Sequence, residues 1–284
     1  MAGARPPRYE AVMIDELNPQ AAQMADESMV RNLAAQAEAI WPQEAPLITR
    51  YRLGNGARIL DAGCGTGEIV MRLADAYPTA RIVGVDIVDA HLAHAALRCA
   101  RFGDRVRFEH RSVFGLDYAD HTFDLTVCRH VLHSIPHPER VLTELARVTR
   151  PGGRLHVIPE DYGMIHFPPR RHEPDAFWHA APREFGKGTG TDLFVGRRVF
   201  TYLRRLGLRD VTVDYIVVDP LRTQRETFAA IFTAWRDGYA EAIGEHTSFS
   251  RDDAVAQFDD MLATLADPDG YGVWMVPVVA GVVP

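Results

Sequence analysis

Three glycines at alternate positions, in the run Ile59-Leu60-Asp61-Ala62-Gly63-Cys64-Gly65-Thr66-Gly67-Glu68, are the residues of this 284-residue chain whose type and spacing imply chemistry most directly. Glycine tolerates positive φ and puts no side chain between backbone and ligand, and the helix that follows aims its free N–H groups into the turn. Nineteen positions beyond Gly67, Asp86 closes the next apolar run, where a carboxylate can accept hydrogen bonds from ribose hydroxyls. The combination predicts a nucleotide-bearing ligand across two strand ends and leaves a dinucleotide open.

A second group is the histidines, of which there are twelve. His130 and His133 follow the apolar run Phe123–Val127, and His166 lies beyond Ile158 with Glu160, Asp161 and Tyr162 close in sequence. Imidazole changes charge near neutral pH and suits general base catalysis. His133, His166, Tyr162 and His130 are therefore the candidate catalytic residues, with His172 and His179 as further candidates for a pocket wall. Trp41, Phe177, Trp178, Phe185, Trp235 and Trp274 are candidates for an apolar one.

The elements that must position these residues follow from periodicity. Leu17, Met24, Met29, Leu33, Ala37 and Ile40 recur at helical spacing from Glu16 to Trp41, with Pro42 and Pro46 punctuating the end. From about Ala57 to Val157, short β-rich runs (58–60, 81–85, 106–108, 123–127 and 154–158) alternate with helical stretches, which predicts a parallel sheet covered on both faces. The stretch from Glu160 to Gly196, dense in Pro, Gly and His, reads as a loop or lid without a long regular element. Beyond it, the pattern predicts helices over 197–206, 223–244 and 251–266, and strands over 211–218 and 273–283.

The spacing Gly-x-Gly-x-Gly after Asp61 resembles the first motif of the class I, Rossmann-like S-adenosylmethionine-dependent methyltransferases. The likeness continues through Phe123–Val127, Arg129–Pro136 and the turn Arg150-Pro151-Gly152-Gly153. It implies a three-layer α/β sandwich with a seven-stranded, mostly parallel sheet, the last strand antiparallel, plus a helical N-terminal cap and an inserted cap. It divides the chain into a cap (1–54), a cofactor-binding core (55–160) and a lid with completion of the sheet (161–284). It also implies that Asp61, Gly63, Gly65 and Gly67 hold the aminoacid end of S-adenosylmethionine, Asp86 its ribose, and Ile87, Ser112 and Val113 its adenine, with Arg129 toward the carboxylate. Ser112 stands where many relatives carry an acid.

The implied activity is methyl transfer to an oxygen or nitrogen, including a carboxylate oxygen, of a small metabolite of the specialised kind, releasing S-adenosylhomocysteine. A base is needed only where the acceptor arrives protonated, and Arg170, Arg171 and Arg183 of the lid would attract an acid. Fold does not fix function, so a non-methylating reaction such as cyclisation, and an RNA or protein acceptor, are the alternatives. The net charge of −7 argues against nucleic acid and anionic lipid as partners. Three cysteines without paired spacing, no apolar leader and no metal-ligand pattern add the expectations of a reducing cytoplasm, no membrane, no metal, and a monomer or homodimer.

Overall fold

The computed structural model describes residues 17–284; the expected cap segment up to Glu16 lies outside them. The strands are β1 (Arg58–Ala62), β2 (Arg81–Asp86), β3 (Val106–His110), β4 (Phe123–Arg129), β5 (Thr149–Ile158), a two-residue β6 (Ile165–His166), β7 (Arg209–Val218) and β8 (Val273–Val282). The helices are α1 (Ala21–Met24), α2 (Glu27–Thr49), α3 (Glu68–Ala76), α4 (Asp89–Cys99), α5 (Pro138–Val148), α6 (Pro174–Thr189), α7 (Gly196–Arg205), α8 (Arg225–His246) and α9 (Arg251–Ala266).

Strands β3, β2, β1, β4 and β5 lie side by side and parallel, and β8 runs antiparallel to β5 on one side and to β7 on the other. The final strand thus inserts beside the strand before it, as expected. The eighth strand, β6, is an addition to the expected seven. It continues along the β5 side of β8, pairing Ile165 with Trp274.

Both faces of the central strands β1, β4, β5 and β8 are buried, so these read as apolar runs that split by alternation. Ile59, Leu125 and Val127 face Ile69, Val70 and Leu73 of α3. Leu60, Leu155 and Val157 face Val141, Leu142 and Leu145 of α5 and Val199 and Leu203 of α7. A third core, built from α6, α8, α9 and the front of β8, is rich in aromatics, and Phe177, Phe228, Phe232, Phe258 and Trp274 are its most deeply buried aromatic members.

Two expectations are corrected. Pro42 and Pro46 lie inside α2, which continues to Thr49. Each proline removes one backbone donor, but tertiary contacts hold the last turns: the Gln43 amide donates to the Val217 carbonyl at 2.8 Å and accepts from Val217 N–H at 3.1 Å. The Pro/Gly-rich stretch is likewise not a structureless loop, since 174–189 form a sixteen-residue helix. Pro174 sits in its first turn, where the lost donor is unneeded. Gly190 ends it at φ +73, and Phe177, Trp178, Ala181 and Phe185 form its buried face.

Pro42 is exposed, so Pro42→Ala restores a helix donor without opening a cavity. The ~3 kcal/mol helix penalty of proline, less about 1 kcal/mol of lost unfolded-state restriction, gives an expected gain of about 2 kcal/mol. A higher urea midpoint at unchanged slope checks it.

Candidate active site

Strand β1 delivers the chain into the glycine turn, where Gly63 has φ +78 and a Cβ on it would lie 2.3 Å from Val131 Cγ2. Gly67, at φ +77, forms the N-cap of α3. The turn is tied to the end of β2: Gly63 and Cys64 N–H donate to the Val85 carbonyl at 2.8 and 2.9 Å. Gly65 N–H donates to Asp86 Oδ2 at 2.8 Å, and Ile87 and Val88 N–H donate to Asp86 Oδ1 at 2.8 and 3.0 Å. A carboxylate offers about four lone-pair directions. Backbone fills three, which leaves one on Oδ2 for a ligand.

In front of this turn opens a cleft of about 690 Å³ whose walls include Gly63, Gly65, Asp86, Ile87, Val113 and Arg129. Gln20 and Met24 of the N-terminal segment also line it. Asp61 lies in an adjoining recess with Gly63, Arg129 and His130. Ser112 does not reach the cleft wall; its hydroxyl accepts from Phe114 N–H at 3.3 Å and so serves the turn, while Arg111 and Val113 on either side face the cleft. Gly67 stands behind the wall as the helix start.

Behind the recess lies a buried polar network that spacing did not reveal. Glu44 of α2, fully buried, lies 3.0 Å from Arg129 Nε and 3.1 Å from His156 Nε2, and His156 Nδ1 lies 2.7 Å from the Tyr51 hydroxyl. Burial pushes the Glu44 carboxyl up, but Arg129 and His156 more than offset it and hold it below the usual range. Arg129 Nη2 is buried without a partner. Asp61 is pushed up to about 7, first by burial and then by Glu44 and Asp86, against the pull of Arg129.

At the end of β4 the backbone turns left-handed at His130, φ +55. This conformation is uncommon outside glycine and concentrates at functional positions. It is anchored by His130 N–H donating to the Ile158 carbonyl at 2.8 Å. The His130 Nδ1 makes a short hydrogen bond with Oε1 of Glu160, which is fully buried at the end of β5. His130 Nε2 and His133 Nδ1 are both buried without partners. His133 is pushed down to about 4 by burial, against the opposing pull of Glu160, so it is neutral at pH 7.

His133 and Tyr162 open onto a second cavity of about 490 Å³, walled by Phe177, Trp178, Phe185, Trp235 and Phe258 among others. Tyr162 stacks on Trp178 at 5.7 Å and meets His133 edge-on at 5.6 Å. A narrower space lined by Leu33, His130, His133 and Tyr162 connects this chamber to the cleft. Three of the four expected catalytic residues, His130, His133 and Tyr162, therefore meet at one junction. His166 does not: it is exposed on β6 and lies 3.2 Å from Asp175. His172 is tied to Asp260 and His179 is exposed. Trp41 packs against the α3 core instead, and Trp274 lies under Trp235. Arg170, Arg171 and Arg183 are exposed and line neither cavity. Among the described residues, no group of three or more His, Cys, Asp or Glu could hold a metal, and no helix is long and apolar enough to cross a membrane.

Residues 59–153 match a family model described as a methyltransferase domain, and this segment is a methyltransferase domain of the class I, Rossmann-like kind. The 27-O-demethylrifamycin SV methyltransferase of Amycolatopsis mediterranei is 37% identical over 140 residues, 47% of this chain and 47% of that one. The chain spans about half or less of the length of the first curated relatives it matches. Among solved structures, the Haemonchus contortus phosphoethanolamine N-methyltransferase 2 superposes with a TM-score of 0.55 at 20% identity, over 86% of this chain and 53% of that one. The [4+2]-cyclase SpnF superposes at 0.53 and 23% identity, over 87% and 85%. At these identities the superpositions establish the fold.

Glu44 and Arg129 form a buried pair, so removing one partner strands the other. Glu44→Ala is expected to cost about 3–5 kcal/mol, and the apolar double replacement Glu44→Met with Arg129→Met less than that. Urea unfolding of both variants tests the ordering, and a double variant as unstable as the single one would contradict it.

Proposed function

We propose that this chain, built on its methyltransferase domain, transfers the methyl group of S-adenosylmethionine to a small, largely apolar metabolite. The observation that carries the reading is the pair of cavities meeting at His130, His133 and Tyr162: one glycine-floored with Asp86 and Arg129 in its wall, the other aromatic. The residues present fit the cofactor. The Gly63–Gly67 turn leaves bare backbone for its aminoacid end, Arg129 Nη2 is an unsatisfied donor for its carboxylate, and Oδ2 of Asp86 keeps one lone-pair direction for a ribose hydroxyl. Ile87 and Val113 would sandwich the adenine, with Ser112 shaping that turn. When bound, the cofactor supplies a methyl carbon on a cationic sulfur, which the acceptor's electron pair takes as the carbon–sulfur bond breaks.

What the chain adds is placement and dryness. The aromatic walls position an acceptor at the junction, and orientation of this kind supplies much of the acceleration in a displacement with a neutral leaving group. In this reading residues 17–54 and 161–284 complete the acceptor site around the 55–160 core. A carboxylic-acid acceptor loses the support of the lid arginines, which face solvent. The aromatic lining of the chamber also suits neither RNA nor a charged protein acceptor. A reaction that leaves the methyl group in place would form no S-adenosylhomocysteine, so that product separates the two enzyme readings.

Calorimetric titration with S-adenosylmethionine tests the cofactor site. Asp86→Ala removes both the ribose acceptor and the brace of the glycine turn, so binding is expected to fall by about ten- to a hundredfold, since a hydrogen bond to a charged group contributes roughly 1.5–3 kcal/mol; unchanged affinity would sink the reading. A second expectation concerns pH. Asp61, raised to about 7, is neutral below that pH, whereas the ammonium of the ligand favours its ionised form. Binding then expels a proton, and affinity rises by up to about tenfold per pH unit between pH 5 and 7 before levelling. Asp61→Asn flattens that rise.

A further inference from the structure

The paired arrangement of His130 and Glu160 has no structural duty that accounts for it. Glu160 is a fully buried acid whose Oε1 bonds His130 Nδ1 and whose Oε2 has no partner. Holding Nδ1 this way fixes the tautomer, puts the lone pair on Nε2, and supplies a fixed anion beside any imidazolium that forms. Nε2 is itself buried and unpartnered, and His130 lines the cleft, the recess and the passage to the aromatic chamber. An apolar acceptor leaves such a nitrogen unsatisfied, at a cost of about 1–3 kcal/mol. An acceptor with an O–H group satisfies it.

We infer that the acceptor is an aromatic or enolic hydroxyl compound, and that the His130–Glu160 pair takes its proton. This rests on the methyl-transfer reading above and deepens it. The O–H bond breaks, its electron pair stays on oxygen as the nucleophile, and the proton forms an N–H bond at His130 Nε2, leaving an imidazolium against the Glu160 carboxylate. Other charged or titratable groups near His130 are Arg129 just before it at the end of β4, Glu44 from α2, Asp61 from β1, His133 from the following loop and Tyr162 from the turn after β5, whose hydroxyl is kept protonated by burial. Glu44 is occupied by Arg129 and His156, and His133 is kept neutral by its burial, so Glu160 is the anion left for the imidazolium. A carboxylate acceptor, already ionised at neutral pH, would need no such pair. The apolar chamber, with Trp178, Trp235 and Phe258 in its walls, suits a flat ring.

The probe is 4-nitrophenol, whose phenolate absorbs visible light, titrated into protein saturated with S-adenosylhomocysteine. Bound phenol is expected to ionise about one pH unit below free phenol, and 15N-labelled wild-type protein is expected to gain one imidazolium signal as it binds. Glu160→Gln discriminates by sign. If His130 holds the proton, loss of the carboxylate returns the midpoint toward the free value. If Arg129 alone stabilises the phenolate, removing a nearby anion lowers the midpoint further. That second result, an unshifted midpoint, no new imidazolium, or failure of the phenol to bind would each overturn the inference while S-adenosylhomocysteine still binds. Failure of S-adenosylhomocysteine to bind folded protein would instead remove the methyl-transfer reading beneath it. His130→Gln, with its S-adenosylhomocysteine affinity as the check on folding, is expected to abolish the shift.

Discussion

The carboxylate of Asp86 is the fixture on which the site depends, because it accepts backbone N–H groups from two separate turns at once. Gly65 comes from the turn after β1, and Ile87 and Val88 from the turn after β2. An ionised acceptor makes each bond stronger than a neutral one would. Three donors on one side chain therefore lock the relative position of two loops that no strand pairing reaches. The opening of the cleft, the start of α3 and the exposure of Ile87 all follow from that lock. The same atoms that brace the floor leave a lone-pair direction on the cleft side, so the brace and the cleft wall are one residue.

The second constraint is buried charge. Glu44 and Glu160 are both fully buried, and each is compensated differently. Glu44 faces a permanent cation, Arg129, and a histidine braced by Tyr51, which makes it a fixed support for the strand end. Glu160 bonds the imidazole of His130, and its charge also reaches His133 and Tyr162. A pair of the first kind holds geometry, and a pair of the second kind can move a proton. The two acids thus bond neighbouring residues, Arg129 and His130, at the end of β4.

The sequence made legible whatever depends on local spacing. The glycine turn, Asp86 and the alternation of strands and helices were readable because each is encoded within a few residues or in a regular period, whereas the antiparallel last strand followed from the family resemblance. Glu44 was not, since its partners Arg129 and His156 come from distant strands and a lone acid in an amphipathic helix looks solvated. Glu160 was noticed only as a neighbour of His166; its partner is set by the adjacency of β4 and β5. Pro42, Pro46 and the 174–189 helix were misread for one reason. Breaker residues report local preference, and tertiary packing of Gln43, Phe177 and Trp178 outweighed it.

Strand β8 carries a consequence for how the two halves of the site come into being. The glycine turn, Asp86 and His130 lie within a stretch of fewer than a hundred residues joined by neighbouring parallel strands. The aromatic chamber rests on Trp274, whose strand must slot between β5 and β7 from far along the chain. Contacts of long sequence separation form late because their loops must close first. During synthesis, the pocket for the nucleotide end can take shape while the acceptor's walls are still unassembled, and the aromatic surface of α6 and α8 stays open to wrong partners until β8 arrives.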